Sequence, residues 1–583
     1  MTCSLYDIKI SITLVAPYLI HGNDPGRFGL DATLLKDHKG QAVLPGTLVA
    51  GRIAEAWQTY GKEFAGADAD TWFGKETDGE QHRARLMVSD LTLQAHQQYA
   101  SEITRIQLDE DTGSVKQGAM LVVEQIAQPG EKLEFVGSWQ VWAHSNEIAT
   151  LSSQIHAALA MQTQWGAYRS IGFGRMHNCK VNYQEAPRLS LSGFPKDLSK
   201  QPQIRLGLRF DVPICVNSKS RRGNVFISGE VIPGNTILGA LAQTLLHKHQ
   251  VNQLSAINGS KLASHFNKLR CTHALPAKPD GGRPIPLPQS LVSISEGLGQ
   301  LAIKDAFLHN KPPEMDTAPA FQTDWKGQAF DIATEKQGWF KPQRYLRVRT
   351  AMQDGKAEDS SLFAYECIHS DAVWLCDLDL TAVPAPDRVA VAKEIEDIMG
   401  FGLAPIGKTD ARAKVQVFAE RKTVWAANLE AIKPNAIVNL VLNTDAVLFA
   451  TKEIADKAEV DLVKIYRQAF EALDKENAIE LSHFFATQRL TGGNYLFKRY
   501  LQNKTKTYQP LVLTEAGSVF VFKIKDAAKA EALLSQWCSQ GLPLTPMVIE
   551  NHGASWSEHP YIPQNGYGEV TVNPSMPFEK IAK

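Results

Sequence analysis

Cysteine is sparse and never stands in the spacing that holds a metal. The seven cysteines among 583 residues (Cys3, Cys179, Cys215, Cys271, Cys367, Cys376 and Cys538) are odd in number and scattered, and none forms a C-x-x-C pair. This argues against a zinc site or a disulfide framework and predicts buried thiols in a reducing compartment. Excess charge is missing too: 61 Lys and Arg against 62 Asp and Glu leave a net charge of -1. A protein that coats nucleic acid by charge alone is thereby excluded, and any contact with a polyanion has to be local. No window approaches the roughly 20 uninterrupted apolar residues of a membrane span, and the first residues have neither a basic lead nor a small-residue cleavage site. The expectation is a soluble, cytoplasmic protein with no membrane partner. No glycine cluster has the strand-to-helix context of a dinucleotide fingerprint. An apolar fraction of 44% and a charged fraction of 21% are those of folded protein, and the length predicts two to four domains.

One theme is written twice. Ile8, Ile10, Ile12 and Leu14 alternate as a strand, a polar loop follows, and after Leu44-Pro45-Gly46-Thr47 the apolar residues Val49, Ile53, Trp57 and Tyr60 recur at helical spacing. In the second copy Ile204, Leu206, Leu208 and Phe210 alternate. A loop with Lys219, Arg221 and Arg222 follows, then Ile232-Pro233-Gly234, then Ile237, Leu241 and Leu245 on one helical face. Each copy later reaches a glycine-bearing stretch that runs into a strand: Arg169-Ser170-Ile171-Gly172-Phe173-Gly174-Arg175 in the first and Ile406-Gly407-Lys408-Thr409 in the second. A third such stretch, Asn565-Gly566-Tyr567-Gly568-Glu569, lies near the end. Glycines let a backbone approach a phosphate closely. The stretch 185–203, with three prolines, reads as a linker, 278–341 as an irregular wrapping region, and 448–480 as a helical insertion.

Laid out this way, residues 5–183 resemble the RNA-binding backbone subunits of type III CRISPR effector complexes, of the repeat-associated mysterious protein superfamily. The resemblance rests on an ordered set. It runs from Gly29-Leu30-Asp31 and Leu44-Pro45-Gly46-Thr47 with Gly51 and Arg52, through Trp72-Phe73-Gly74, Leu86-Met87-Val88-Ser89-Asp90 and Arg105-Ile106-Gln107-Leu108-Asp109 with Thr112-Gly113, Gly118 and Glu124, to the Arg169–Arg175 loop. Residues 204–572 look like the tag-binding subunit of the III-D subtype. The matching residues are Ile232-Pro233-Gly234, Pro286-Leu287-Pro288, Arg349-Thr350-Ala351, Ser361-Leu362-Phe363-Ala364-Tyr365-Glu366 and Gly517-Ser518-Val519-Phe520-Val521-Phe522. Two departures stand out: Glu569 occupies a position where the family closes with arginine, and Ile406-Gly407-Lys408 lacks a second glycine.

The resemblance implies an α+β fold of tandem ferredoxin-like (RRM-like) modules with large loop and helical insertions. One module would span 1–186, a linker 187–203, and a second module, of two ferredoxin-like halves, 204–583. It implies crRNA and target RNA as partners, with a large polymerase-like subunit, further backbone subunits and a small subunit. By the same resemblance Asp31 would cut target RNA with magnesium or another divalent cation as cofactor. An exposed carboxylate can hold a hydrated ion at a phosphate fixed by basic groups, although one carboxylate alone is a weak metal site. His21 and His38, which flank that loop, and Asp24 and Asp37 are further candidates. Gly46, Thr47, Arg52, Arg169, Ser170, Gly172, Phe173, Gly174 and Arg175 would hold the guide, since guanidinium forks match phosphate oxygens. Lys219, Arg221 and Arg222 would face the repeat-derived tag, and Lys408 would also bind RNA. Lys498 and Arg499, interleaved with Tyr495, Phe497 and Tyr500, mix charge with stacking faces. The segment 91–124 would form a hairpin projecting between guide and target. Two alternatives stay open: a non-catalytic structural subunit, and a stand-alone endoribonuclease that trims precursor crRNA.

Overall fold

The computed structural model describes residues 3–582 apart from 23–28, 65, 67, 78–79, 83, 95–100, 196–197, 199–201, 221–223, 280–281, 296–299, 306–333, 354–355, 425, 456–458, 494–495, 502–508 and 575–580. Helices and mostly antiparallel sheets are interspersed along it, consistent with the α+β class that the resemblance implied.

In the first part of the chain β1 (Ser4–Val15), α1 (Gly46–Tyr60), β2 (Leu91–Leu93), β3 (Lys132–Ala143), α2 (Ser145–Ala160) and β4 (Arg175–Glu185) follow one another. The strands lie in the order β4-β1-β3-β2, every neighbour antiparallel. The alternation read from the sequence sets the faces. Ile8, Ile10, Ile12 and Leu14 are all fully buried, because a period of two sends them to one side of the sheet, where Val49, Ile53 and Trp57 of α1 pack on them. Burying such a side chain stabilises the fold by roughly 1.5–3 kcal/mol, so a charge at Ile10 would break this unit. Tyr60, placed on the same helical face by spacing, is 46% exposed at the end of the helix.

The arrangement recurs twice. β5 (Gln203–Phe210), α3 (Gly234–His249), β6 (Leu275–Ala277), β7 (Val373–Asp379), α4 (Ala385–Met399) and β8 (Ala411–Phe418) give the order β8-β5-β7-β6. β9 (Ile437–Leu442), α5 (Leu462–Leu473), β10 (Ile479–Phe485), β11 (Val519–Ile524), α6 (Ala527–Gln540) and β12 (Val570–Val572) give β12-β9-β11-β10. Each unit has its own apolar core. Each also carries an extra hairpin between its second and third strands: Ser101–Leu108 with Val115–Gln125, Arg344–Gln353 with Lys356–Ile368, and Gln488–Thr491 with Leu511–Thr514. The region read as a helical insertion is α5, preceded by the single turn Thr451–Glu453.

The stretch read as a linker puts Leu191 and Leu198 into the second core, and Arg188 pairs with Asp397. Trp142 meets Phe401 edge to face at 5.3 Å, joining the first unit to the second. Between the second and third units the guanidinium of Arg283, 2% exposed, grips both carboxylate oxygens of Glu569. The ring of His273 stands against Tyr567 at 4.6 Å.

Candidate nucleic-acid interface

The loop after β1 returns to the first hairpin as an added strand. Asp31 donates its N–H to the Val122 carbonyl at 2.8 Å, and Glu124 donates to Ala32 at 3.0 Å. The Asp31 carboxylate, itself exposed, accepts the Val122 N–H through Oδ2 at 2.7 Å. Glu124 completes the seam by accepting from the Leu34 N–H at 2.9 Å and pairing with Lys36. Asp31 is thus a tether of the hairpin by one oxygen, whatever the other does.

On the hairpin's far edge lies the glycine loop. Tyr168 (φ 55°), Gly172 and Gly174 all have positive φ around the single turn Arg169–Ile171. Gly174 is required there, since a Cβ on it would stand 1.8 Å from the Trp165 carbonyl oxygen. Its own N–H and carbonyl are spent on Pro17 and Trp165 at 2.8 Å. Phe173 is 1% exposed and belongs to the core, while Arg169, Ser170 and Arg175 are exposed. Arg105 crosses from the hairpin, donating to the Ile171 carbonyl at 3.3 Å with its guanidinium carbon 5.8 Å from the Phe173 ring centre. Between hairpin and loop opens a cleft of about 330 Å³ lined by Pro17, Ile103, Arg105, Ile171, Gly172 and Arg175, among others. Two arginines beside a glycine backbone make it suited to an anionic, extended ligand. Sequence reasoning had placed Arg105 only in a strand. Its alternation was visible, but its reach across to the Phe173 ring was not.

His21, where burial pushes the imidazole pKa down, sits 5.8 Å from the Tyr168 ring. It therefore borders the glycine loop. His38, also lowered chiefly by burial, stands instead 5.8 Å from His369 where the first two units meet. Asp37 accepts the backbone N–H groups of Lys39 and Gln41, closing a turn. Asp24 lies outside the described residues. A divalent cation held by protein alone does not fit: among the described residues no group of three or more His, Cys, Asp or Glu side chains converges, and Asp31 already has one oxygen committed to Val122. A hard cation would need its remaining oxygen ligands from water and RNA.

Other expected contacts are engaged with protein. The Gly46 N–H donates to Asp90 at 2.9 Å, and the Thr47 hydroxyl accepts from Arg349 at 2.5 Å. Arg347 pairs with the same Asp90, and the Tyr345 hydroxyl donates to the Lys36 carbonyl. The head of α1 is thus where the second hairpin docks. Arg52 pairs with Glu55 at 2.8 Å.

In the second unit Lys408 is exposed and its ammonium lies 4.0 Å over the Phe226 ring, a cation–π contact. Lys219 belongs to strand Asn217–Ser220; its side chain, with Arg221 and Arg222, lies outside the described residues. Lys498 and Arg499 are exposed on the short helical turn Phe497–Leu501, and Tyr495 lies outside the described residues. The third glycine loop faces inward: Asn565 and Tyr567 are buried and Glu569 is spent on Arg283. The departure from arginine at that position has a physical reason, since a second cation there would face the buried Arg283.

No family model matches this chain, and no curated protein matches it. Among solved structures, a chain of a complex described as the Type III-B Cmr-beta bound to cognate target RNA is similar at 13% identity with a TM-score of 0.23. The match covers 31% of this chain and 61% of that one, so this chain spans less than two thirds of its length. A likeness of that size carries no argument by itself.

Proposed function

We propose that this chain is a crRNA-binding subunit of a type III CRISPR ribonucleoprotein, built as three ferredoxin-like units, with the guide held by the first. Its partners are crRNA, target RNA and the other effector subunits. The observation that carries the reading is the cleft lined by Arg105, Arg175 and Gly172, because it presents two guanidinium groups to one extended anion, with a glycine that lets the ligand lie close. The strand order 4-1-3-2, repeated three times with a hairpin and a glycine loop at the same points, supports the module reading. In this proposal Lys408 and the basic residues from Lys219 to Arg222 meet the guide's tag, and Asp31 cuts paired target RNA in the assembled complex, with any divalent ion arriving on the RNA.

A second reading follows from the Val122 N–H bond: Asp31 holds the hairpin and has no part in cutting. Cleavage of a labelled RNA complementary to the guide, by the assembled complex with magnesium or chelator, separates the two. Asp31→Asn keeps an acceptor for Val122 and removes the charge, whereas Asp31→Ala removes both. If one product is lost with Asn as with Ala, Asp31 is catalytic. If Asn cuts like wild type and only Ala fails, Asp31 is a tether. Survival of every product in both variants refutes the cleavage proposal.

A further inference from the structure

Two buried cysteines are opposed beside a backbone bridge of the second unit. Ile214 and Ile368 exchange both backbone hydrogen bonds, at 2.9 and 2.8 Å. That makes them a hydrogen-bonded antiparallel bridge, and the next residues inward, Cys215 and Cys367, stand opposite each other beside it, as in a non-hydrogen-bonded pair. Such pairs have Cα atoms about 4.5 Å apart, inside the range a disulfide spans. Both are free and buried with their thiols in contact, and the Cys367 thiol also reaches the Tyr365 carbonyl at 3.9 Å. The Cys215 carbonyl accepts the N–H of Lys408 at 2.8 Å, which fixes the Gly407–Lys408 turn on top of the pair.

We propose that Cys215 and Cys367 are a redox pair that hydrogen peroxide joins into a disulfide. Cys215 is the attacking sulfur. The contact with Cys367 and the nearby Lys408 ammonium hold its pKa below that of an ordinary thiol, while the Cys367 thiol is held above. The Cys215 thiolate takes the distal oxygen of the peroxide, the O–O bond breaks and hydroxide leaves as water. The Cys367 sulfur, giving up its proton, then displaces the hydroxyl from the Cys215 sulfenic acid as a second water. Two thiols are oxidised by two electrons and one peroxide is reduced. The disulfide ties the stem of the second hairpin, which carries Arg347 and Arg349 to the first unit, to the segment before Lys219. Because both sulfurs are buried, the reaction waits on local opening of the Ile214–Ile368 pair.

The second contacting pair, Cys271 and Cys376, is an internal control. Cys271 is in register with Leu378, so Cys376 is its diagonal neighbour, about 7–8 Å away between Cα atoms, too far to bridge without backbone movement.

The test is peroxide treatment of the full chain, alkylation of remaining thiols and peptide mass spectrometry. A 215–367 cross-link that dithiothreitol reverses is expected, with Cys271 and Cys376 alkylated as thiols, and Cys215→Ser or Cys367→Ser abolishes it. Native wild type alone is decisive if a variant fails to fold. Retention of both thiols, a different pairing, or irreversible oxidation of Cys215 without a cross-link overturns the proposal.

Discussion

Removing the Glu569 carboxylate strands a cation between the second and third units, and the size of the effect can be worked from the contacts. Arg283 donates to Glu569 Oε1 and Oε2 at 2.5 and 2.8 Å, to the His273 carbonyl at 2.9 Å and to the Leu375 carbonyl at 3.3 Å. Burial pulls its pKa down, and Glu569 more than restores it. Glu569→Ala leaves the buried guanidinium with two neutral carbonyls and should cost about 3–5 kcal/mol, the usual penalty for breaking a buried pair. Glu569→Gln keeps one acceptor and should cost about 2 kcal/mol. The double replacement Arg283→Met with Glu569→Leu should lie near wild type, because no charge is stranded. A chain of this length need not unfold in one step, so the assay is hydrogen exchange of amides in 565–572 and 271–277, read as local opening free energy. Protection in Glu569→Ala within about 1 kcal/mol of wild type, the value of a surface pair, would refute the reasoning. So would a double variant worse than Glu569→Ala.

Three further outcomes are expected. Burial first, then Arg283 and Arg270, bring the His273 pKa down to about 3. The unfolded imidazole takes up a proton below about 6.5 that the folded one refuses, so this stability is complete above pH 6.5 and lost as pH falls toward 3. The loss is about 2 kcal/mol between pH 6.5 and 5, and urea midpoints at the two pH values should converge for His273→Phe; an unchanged pH slope would count against it. Gly174→Ala, whose Cβ would stand 1.8 Å from the Trp165 carbonyl oxygen, should unfold the loop, whereas at Gly172 (φ +90°) nothing lies within 4 Å. Gly172→Ala therefore pays backbone strain of about 1–3 kcal/mol only, and comparable melting temperatures for the two variants would contradict the geometry. Arg105→Ala and Arg175→Ala should each lower the salt dependence of single-stranded RNA binding by about 0.7 in log–log slope, measured by fluorescence anisotropy; weakening with an unaltered slope would remove them from the phosphate contacts.

The periodic elements were legible because one face of each is buried. Ile8 to Leu14 and Ile204 to Phe210 announced β1 and β5, and Val49, Ile53 and Trp57 announced α1. The glycine stretches were legible as markers of position: all three fall just before the last strand of a unit. Hidden from the sequence was which way each loop faces. Arg169 and Arg175 are exposed, yet Asn565 and Tyr567, in a stretch with the same Gly-aromatic-Gly pattern, are interior. Burial depends on whether another unit packs against the loop, and spacing within one segment carries no record of that. Gly46 and Thr47 failed to declare their partners for the same reason, since Asp90, Arg347 and Arg349 lie 44 to 302 positions away.

The three repeats therefore differ in what they expose because they differ in neighbours. In the first unit the hairpin edge and glycine loop leave Arg105 and Arg175 facing an open cleft. In the second, the hairpin is spent on the head of α1, and its glycine turn lies over the Cys215–Cys367 pair with Lys408 outward. In the third, the loop is closed by the second unit and its terminal residue is acidic, because Arg283 arrives from the other side and a fixed buried cation selects a carboxylate opposite it. An arginine at 569 would place two guanidiniums face to face in a largely buried site. The acidic residue that closes the third glycine stretch is thus what lets the second and third units meet around a buried ion pair.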